Sequence, residues 1–350
     1  IMAYSINSKD YFKSKIYTGT GAAQTISGIG HEPSMIWMKS RTNAGNHQVT
    51  DLVRGLTKYI RPNATNTEDT KTNAVTAVNS DGFVLGADSS NDINANGQNY
   101  ASWNWKANGA GSADSSGSAS NVTVSANTTA GFSIVTATMQ NVKTVPHGLG
   151  AVPDVIIGKG RDYATAWKVG AGDILGGWNQ TLAIQSDGGL GNDDRFFYPS
   201  SVAPTATLFS SDQSAWGLGG SATETMVYYC FKQITGFSKF GKYSGNSSGS
   251  DGAFIYTGFK PSLIIGKYIG ANYDWWMLDT ARNPSNVANL KLYPNTTSVD
   301  ASGVVLDMYS NGFKMYDGNQ QFGQNGSEYF FMAFAESPLV GTNDIPANAR

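Results

Sequence analysis

The strongest constraint on the fold of this chain is a ten-residue pattern that occurs three times. Gly, Pro, Ile and Lys hold the same places in each copy. The recurring prolines and lysines are Pro33 and Lys39, Pro153 and Lys159, and Pro261 and Lys267. Because proline cannot sit in the middle of a sheet, each one predicts the turn before a strand, and the apolar run after it predicts the strand. The prolines are 120 and 108 residues apart, which indicates a repeated domain rather than a solenoid.

A second motif accompanies two of the three copies. Asp51 and Arg54 follow the first proline, and Asp279 and Arg282 follow the third at the same distance of 18 residues. The second copy has no such pair. An acid with an arginine three residues later predicts an internal ion pair that satisfies a turn or a buried polar site. We favour this interpretation over a pair of catalytic carboxylates, which would have to face each other across a cleft.

Turn and strand signals then recur in the same order. Gly82-Phe83 and Gly312-Phe313 each follow a turn-forming Asp or Asn and each predict the start of a strand. Every repeat closes on an aromatic segment, at 100–105, 226–231 and 329–334. Such short strands, separated by turn signals, are typical of sandwiches and barrels.

The predicted fold is therefore all-β, with three tandem antiparallel β-sandwich domains of the jelly-roll or lectin-like type. Only 14% of the residues are charged, which fits strands better than surface helices. We expect one short helix at most, over residues 50–59. The predicted boundaries are repeat 1 at 1–108, a Gly/Ser/Ala/Asn linker at 109–130, a divergent repeat 2 at 131–235, repeat 3 at 236–338 and an extended tail at 339–350.

Composition also excludes several classes of function. The net charge of −2 and the lack of a dense basic cluster argue against a nucleic-acid partner. No apolar run is long enough to insert into a membrane, and no signal peptide is evident. Cys230 lies in an apolar strand-like run, where we expect it to be buried. The three histidines lack metal-ligand spacing, and Asp92 precedes an Asn-Gly turn rather than a complete calcium loop. We therefore predict no cofactor, no metal and no catalytic residues.

Two adjacent tryptophans, Trp275 and Trp276, are the candidate binding residues. Neighbouring residues of a strand point to opposite faces of the sheet, so one of the two side chains is a candidate for exposure to solvent. An exposed tryptophan could stack on a sugar ring or anchor a subunit contact.

The ordered set of motifs resembles a repeated domain of unknown function that occurs in virion proteins of tailed marine bacteriophages. The similarity is good over repeat 1, fair over repeat 3 and weak over repeat 2. It implies a structural phage protein with lectin-like sandwich domains and no established catalytic activity. The segments that carry it are Met2-Ala-Tyr, 17–21, 33–39, 51–54, 81–86, 100–107, Pro338-Leu-Val and 345–350.

The sequence and the resemblance together predict a non-enzymatic virion protein, assembled in the host cytoplasm without secretion. It would be a tail-fibre-like appendage or a capsid decoration that contacts other copies of itself and other virion proteins. One alternative is a carbohydrate-binding module that recognises host polysaccharide. A second, with less support, is an enzyme that cleaves that polysaccharide.

Overall fold

The computed structural model of the chain describes residues 6–88, 90, 92–199, 202–216 and 223–337. Regular structure in this part is almost entirely β, in several antiparallel sheets, which confirms the all-β prediction. Helical structure is confined to short turns such as the 3-10 turns Ser8–Asp10 and Gln213–Trp216 and the single α-helical turn α1 (Gly172–Leu175). The tail predicted at 339–350 lies outside the described residues.

The described part of the first repeat contains nine strands. Four of them form a sheet in the order β1-β9-β3-β4, three form a second sheet in the order β2-β8-β7, and β5 pairs with β6. Their bounds are β1 (Phe12–Thr18), β2 (Gln24–Ile26), β3 (Met35–Ser40), β4 (Gln48–Asp51), β5 (Lys58–Tyr59), β6 (Asp69–Thr70), β7 (Val75–Asn79), β8 (Gly82–Leu85) and β9 (Asn99–Trp105).

The second repeat is built on an eight-stranded sheet in the order β10-β11-β12-β19-β14-β15-β16-β17, with β13 and β18 as a separate pair. The bounds are β10 (Ser112–Ala113), β11 (Ser120–Asn127), β12 (Phe132–Met139), β13 (Val142–Pro146), β14 (Val155–Gly160), β15 (Lys168–Gly170), β16 (Gln180–Leu182), β17 (Gly191–Asn192), β18 (Leu208–Asp212) and β19 (Glu224–Phe231).

The third repeat has two four-stranded sheets, in the orders β20-β27-β22-β23 and β21-β26-β25-β24. The bounds are β20 (Ser238–Ser244), β21 (Phe254–Tyr256), β22 (Leu263–Tyr268), β23 (Trp276–Asp279), β24 (Ala288–Lys291), β25 (Ala301–Tyr309), β26 (Gly312–Met315) and β27 (Glu328–Phe334).

The three repeats share one strand order. In each of them the strand after the proline turn lies between the closing aromatic strand and the strand that follows it, as in β9-β3-β4, β19-β14-β15 and β27-β22-β23. The register agrees as well, because Trp37 pairs with Trp103, Ile157 with Tyr229 and Ile265 with Met332. Residues of different repeats can therefore be compared position by position.

One hydrophobic core joins the three repeats. Their central sheets contribute to a single cluster of buried side chains, which includes Trp105, Phe231 and Phe334 from the three closing strands. At its centre an apolar cavity of about 30 Å³ is lined by residues of all three repeats. Because its lining is apolar, the cavity gives water no hydrogen-bonding partners and stays dry, so apolar packing holds the centre of the molecule together. The prediction of three separate tandem sandwiches does not anticipate this common core.

Each repeat also has a peripheral cluster between its central sheet and its second sheet. In the first repeat Ile36 and Met38 of β3 pack against Phe83 and Leu85 of β8. In the third repeat Ile264 of β22 packs in the same way with strands β25 and β26. The strands after the proline turns are thus covered on both faces, which explains why they are apolar without alternation.

Two local predictions differ from the structure. The segment 109–130, for which we predict a linker, carries strands β10 and β11, and β11 pairs along its length with β12. Small residues can form a strand because the ladder uses only backbone groups, so composition alone does not distinguish such a strand from a linker. The segment 50–59, for which we expect a helix, contains the end of β4, a turn and β5.

Candidate functional site

The two candidate binding residues are both buried. Trp275 is 2% exposed and Trp276 is 0% exposed, so the hypothesis that one of them is exposed to solvent is wrong. The reason is that β23 lies between two packed layers. Trp275 points to the common core, and Trp276 points to the cluster beneath the second sheet of repeat 3, near Phe322. The alternation of side chains holds, but neither face is open.

Trp275 belongs to a set of three ring N–H groups that cross between repeats. His47, Trp167 and Trp275 each lie eight residues after the repeated lysine. Each ring nitrogen bonds to a backbone carbonyl in a loop of another repeat, and the bonds are His47 Nε2 to Tyr293 O at 3.0 Å, Trp167 Nε1 to Arg61 O at 2.8 Å and Trp275 Nε1 to Ala183 O at 2.9 Å. Repeat 1 donates to repeat 3, repeat 2 donates to repeat 1, and repeat 3 donates to repeat 2. The contacts close a ring.

His47 completes this pattern only as a neutral imidazole. Trp37 Nε1 donates to His47 Nδ1 at 2.9 Å, so the proton on the ring must be on Nε2, which donates to Tyr293 O. Burial lowers the pKa of His47 well below its ordinary value, and the positive charge of Lys39 acts in the same direction. A histidine thus occupies the place of a tryptophan without carrying a charge at neutral pH.

The repeated lysines lie at the same junctions. Lys39, Lys159 and Lys267 are fully buried, and each ammonium donates to the carbonyl oxygen of the next residue in its own strand. Lys159 Nζ also donates to Thr65 O at 3.3 Å, and Lys267 Nζ to Asp187 O at 2.9 Å, both in the neighbouring repeat. Burial lowers the pKa of all three lysines to about 8.

Asp51 and Arg54 form the internal ion pair that their spacing predicts. Arg54 Nε lies 2.6 Å from Asp51 Oδ2, and both side chains are fully buried. Arg54 Nη1 continues to Glu68 at 3.0 Å, and Glu68 also binds Arg161 of repeat 2 at 2.8 Å. Tyr229 of repeat 2 donates its hydroxyl to Asp51 at 2.8 Å. The pair is therefore the centre of a charged network between repeats 1 and 2.

The pair in repeat 3 builds an equivalent network with repeat 1. Arg282 Nε lies 2.6 Å from Asp279 Oδ2, and its Nη1 lies 3.0 Å from Asp300. Asp300 also binds Arg41 of repeat 1 at 2.7 Å. Trp103 of repeat 1 donates Nε1 to Asp279 at 3.1 Å, in the place that Tyr229 takes in the other network. The two junctions are thus alike residue by residue.

The third junction, between repeats 2 and 3, replaces all five of these polar side chains by apolar ones. The replacements are Ala171 for the aspartate, Ile174 for its arginine, Leu190 for the second acid, Ile269 for the second arginine and Met332 for the tyrosine or tryptophan. The backbone hydrogen bond at this junction is the same as at the junction of repeats 1 and 2. Leu190 N donates to Ile269 O at 2.8 Å, as Glu68 N donates to Arg161 O. The missing Asp-x-x-Arg pair of repeat 2 is therefore one part of a coordinated change across two repeats.

The remaining sequence candidates are structural groups. His31 bonds to Lys9 O and His147 to Thr205 O, and burial lowers the pKa of each. Cys230 is buried, and burial raises the pKa of its thiol to about 12. Asp92 accepts hydrogen bonds from Asn46 N and from the amide of Gln48. Within the described ranges, no group of three or more His, Cys, Asp or Glu side chains is arranged to hold a metal ion.

Gly82 and Gly312 are required by close approach of the backbone. A Cβ at Gly82 would lie 1.9 Å from Ile26 O, and one at Gly312 would lie 2.2 Å from Ile255 O. Phe83 and Phe313, which follow them, are fully buried in the peripheral clusters. In the repeated Gly-Phe motif, the glycine therefore allows close approach between two strands of the second sheet, and the phenylalanine packs that sheet onto the peripheral cluster.

None of the helices in the described part of the chain has the length and apolar character needed to cross a membrane. No curated protein and no solved structure matches the chain. A family model described as a domain of unknown function, DUF7483, matches residues 7–338 and so covers all three repeats. The chain belongs to the DUF7483 family.

Proposed function

We propose that this chain is a non-enzymatic structural protein of a phage particle, exposed on the particle surface as a tail-fibre-like appendage or a capsid decoration. The observation that supports the proposal is the closed ring of repeats around one dry core. The networks around the buried ion pairs, the buried Lys159 and Lys267, and the ring N–H groups all make contacts between repeats. Side chains of this kind, which carry catalysis in many enzymes, are here committed to holding the molecule together.

The proposal treats each repeat as a lectin-like, two-layer sandwich whose central sheet faces the core and whose second sheet faces outward. The ordered motifs that resemble those of phage virion proteins support the location in a virion. The protein would be made in the host cytoplasm and would contact other virion proteins and other copies of itself.

Immunogold labelling of purified particles tests this proposal. Antibodies against the purified chain should decorate intact particles at a fixed position, and pre-immune serum should not. Mass spectrometry of the same particles should recover peptides from all three repeats. If washed, infectious particles lack the protein, the virion proposal is refuted. Light scattering after size exclusion gives the number of copies that associate in solution.

A second candidate function is recognition of host polysaccharide. Trp275 and Trp276 no longer support it, since both are buried. A different observation favours it, because Phe254 and Tyr256 are 48% and 67% exposed on the second sheet of repeat 3. These two side chains belong to a larger surface, which is described below.

A further inference from the structure

The outward face of the second sheet of repeat 3 carries four aromatic side chains. Phe254 and Tyr256 lie on the edge strand β21, Tyr309 ends β25, and Tyr316 follows β26. Phe254 and Tyr309 are in contact, with ring centroids 6.0 Å apart. The residues between them in sequence, such as Ile255 and Phe313, point inward and are buried. We call Phe254, Tyr256, Tyr309 and Tyr316 the aromatic platform.

Polar groups are interleaved with these rings. The hydroxyl of Tyr309 lies 3.0 Å from that of Tyr316 and donates to Asp307 at 3.2 Å. Lys314 lies over the ring of Tyr316, 5.8 Å from its centroid, and forms an ion pair with Asp251. The platform therefore offers apolar ring faces together with hydroxyl groups, one ammonium and two carboxylates, so its net charge is slightly negative and does not favour an anionic ligand.

Repeat 1 provides an internal comparison for this face. Ile26 pairs with Phe83 as Ile255 pairs with Phe313. Thr25 therefore corresponds to Phe254, and Ser27 corresponds to Tyr256. Likewise Asn79 corresponds to Tyr309, and Gly86 corresponds to Tyr316. At the four positions of the platform, repeat 1 has small or polar residues. The second sheet can therefore form without the aromatic rings, and their presence in repeat 3 needs another explanation.

The size and chemistry of the platform indicate what it binds. From strand geometry it extends roughly 7 Å along β21 and roughly 10 Å across to β25. The area that these two lengths enclose is far smaller than the ~800 Å² that each partner of a stable protein interface buries. Sugar rings are small, carry polarised C–H groups on one face and hydroxyl groups at their rim, and so match aromatic faces bordered by hydrogen-bonding groups.

We propose that the aromatic platform binds a neutral polysaccharide chain, with sugar rings stacked on Phe254 and Tyr256 and their hydroxyl groups bonded to the hydroxyl groups of Tyr309 and Tyr316. This inference rests on the second candidate function and gives it a site. It does not depend on whether the chain is part of a virion.

Affinity electrophoresis of the full chain tests the proposal. The gels contain a soluble β-glucan, an α-mannan, a galactan or the anionic polysaccharide alginate. The test variant is Phe254→Thr with Tyr256→Ser, which installs the residues that repeat 1 has at these positions. The control variant is Tyr163→Ser, because Tyr163 is a 45% exposed tyrosine in repeat 2, outside the platform. Urea unfolding of all three proteins checks that the fold is intact.

The wild type and Tyr163→Ser should be retarded by at least one neutral polysaccharide. The platform variant should bind it at least tenfold more weakly. Equal retardation of wild type and platform variant would place glycan binding elsewhere and overturn this inference alone. A wild type that no gel retards refutes glycan recognition altogether. Retardation by alginate only would assign the surface to an anionic ligand and would overturn the inference. A dimer in light scattering that the platform variant loses would assign the surface to a second copy of the chain and would overturn the inference as well.

Discussion

The ion pair of Asp279 and Arg282 allows a sharp test of how the repeats are held together. Both side chains are fully buried, so removal of one partner leaves the other charge without compensation. We consider Asp279→Ala, Arg282→Ile and the double variant. The double variant reproduces Ala171 and Ile174, the residues that the chain itself uses at the third junction.

The structure sets the size of each effect. Breaking a buried ion pair by removing one partner costs about 3–5 kcal/mol of unfolding free energy, and we expect this for either single variant. The double variant removes both charges, but it leaves Trp103 Nε1 without its acceptor at 3.1 Å, which costs about 1–3 kcal/mol. The double variant should therefore be at least as stable as either single variant, and the coupling free energy of the cycle should exceed about 2 kcal/mol.

Urea unfolding, followed by tryptophan fluorescence and by far-ultraviolet circular dichroism, measures these free energies. Coincidence of the two transitions tests whether unfolding is two-state, as the common core leads us to expect. Lys242→Ala is the matched control, because its ion pair with Glu328 is partly exposed, and it should cost less than about 1 kcal/mol. If the double variant loses the sum of the two single effects, the two residues do not act as a buried pair and the reasoning is refuted.

Three further predictions concern protonation and backbone geometry. Burial lowers the pKa of Lys159 to about 8, so above that pH the unfolded state binds more protons than the folded state. The free energy of unfolding should therefore rise from pH 8 to 10. Urea titrations at several pH values should show a smaller rise for Lys159→Met. His47 is held neutral with a lowered pKa, so the free energy of unfolding should fall as the pH drops below about 6.5. His47→Gln should lessen the loss measured between pH 7 and 5, and an unchanged loss would contradict the assignment of His47 as a buried neutral imidazole. Gly82→Ala should cost more than about 2 kcal/mol because its Cβ would meet Ile26 O. Gly97→Ala, where the structure leaves open space at a positive φ of 75°, should cost only about 1 kcal/mol, and equal midpoints in urea would refute the steric argument.

Some features of this protein follow from local sequence alone. A proline before an apolar run and a Gly-Phe after a turn residue have the same local consequence wherever they occur, so the strand after each repeated proline and the strands that begin at Gly82 and Gly312 could be predicted. Asp51 and Arg54 are three residues apart, and their ion pair is a local contact that spacing can indicate. The all-β class follows for the same reason, since short strands and turns are properties of short segments.

Other features depend on contacts between distant residues. Whether Trp275 is exposed depends on what covers β23, and its ring N–H bonds to a carbonyl 92 residues away. The aromatic platform was missed because Phe254, Tyr256, Tyr309 and Tyr316 come together only when β21, β26 and β25 pair. The only sequence signal for it was that repeat 3 has aromatic residues where repeat 1 has small or polar ones, and this comparison requires the strand register.

The sequence by itself determined that the chain is built from three related all-β units, because the repeated motifs act through local backbone geometry. Only the tertiary structure decided that the units close into a ring around one core, because that depends on which surface each unit presents to the next. The five apolar replacements at the third junction come from two repeats, at Ala171, Ile174 and Leu190 on one side and Ile269 and Met332 on the other. Along the chain they are scattered differences. In the fold they are one interface, because burying a charge is tolerable only where its partner is present across the contact.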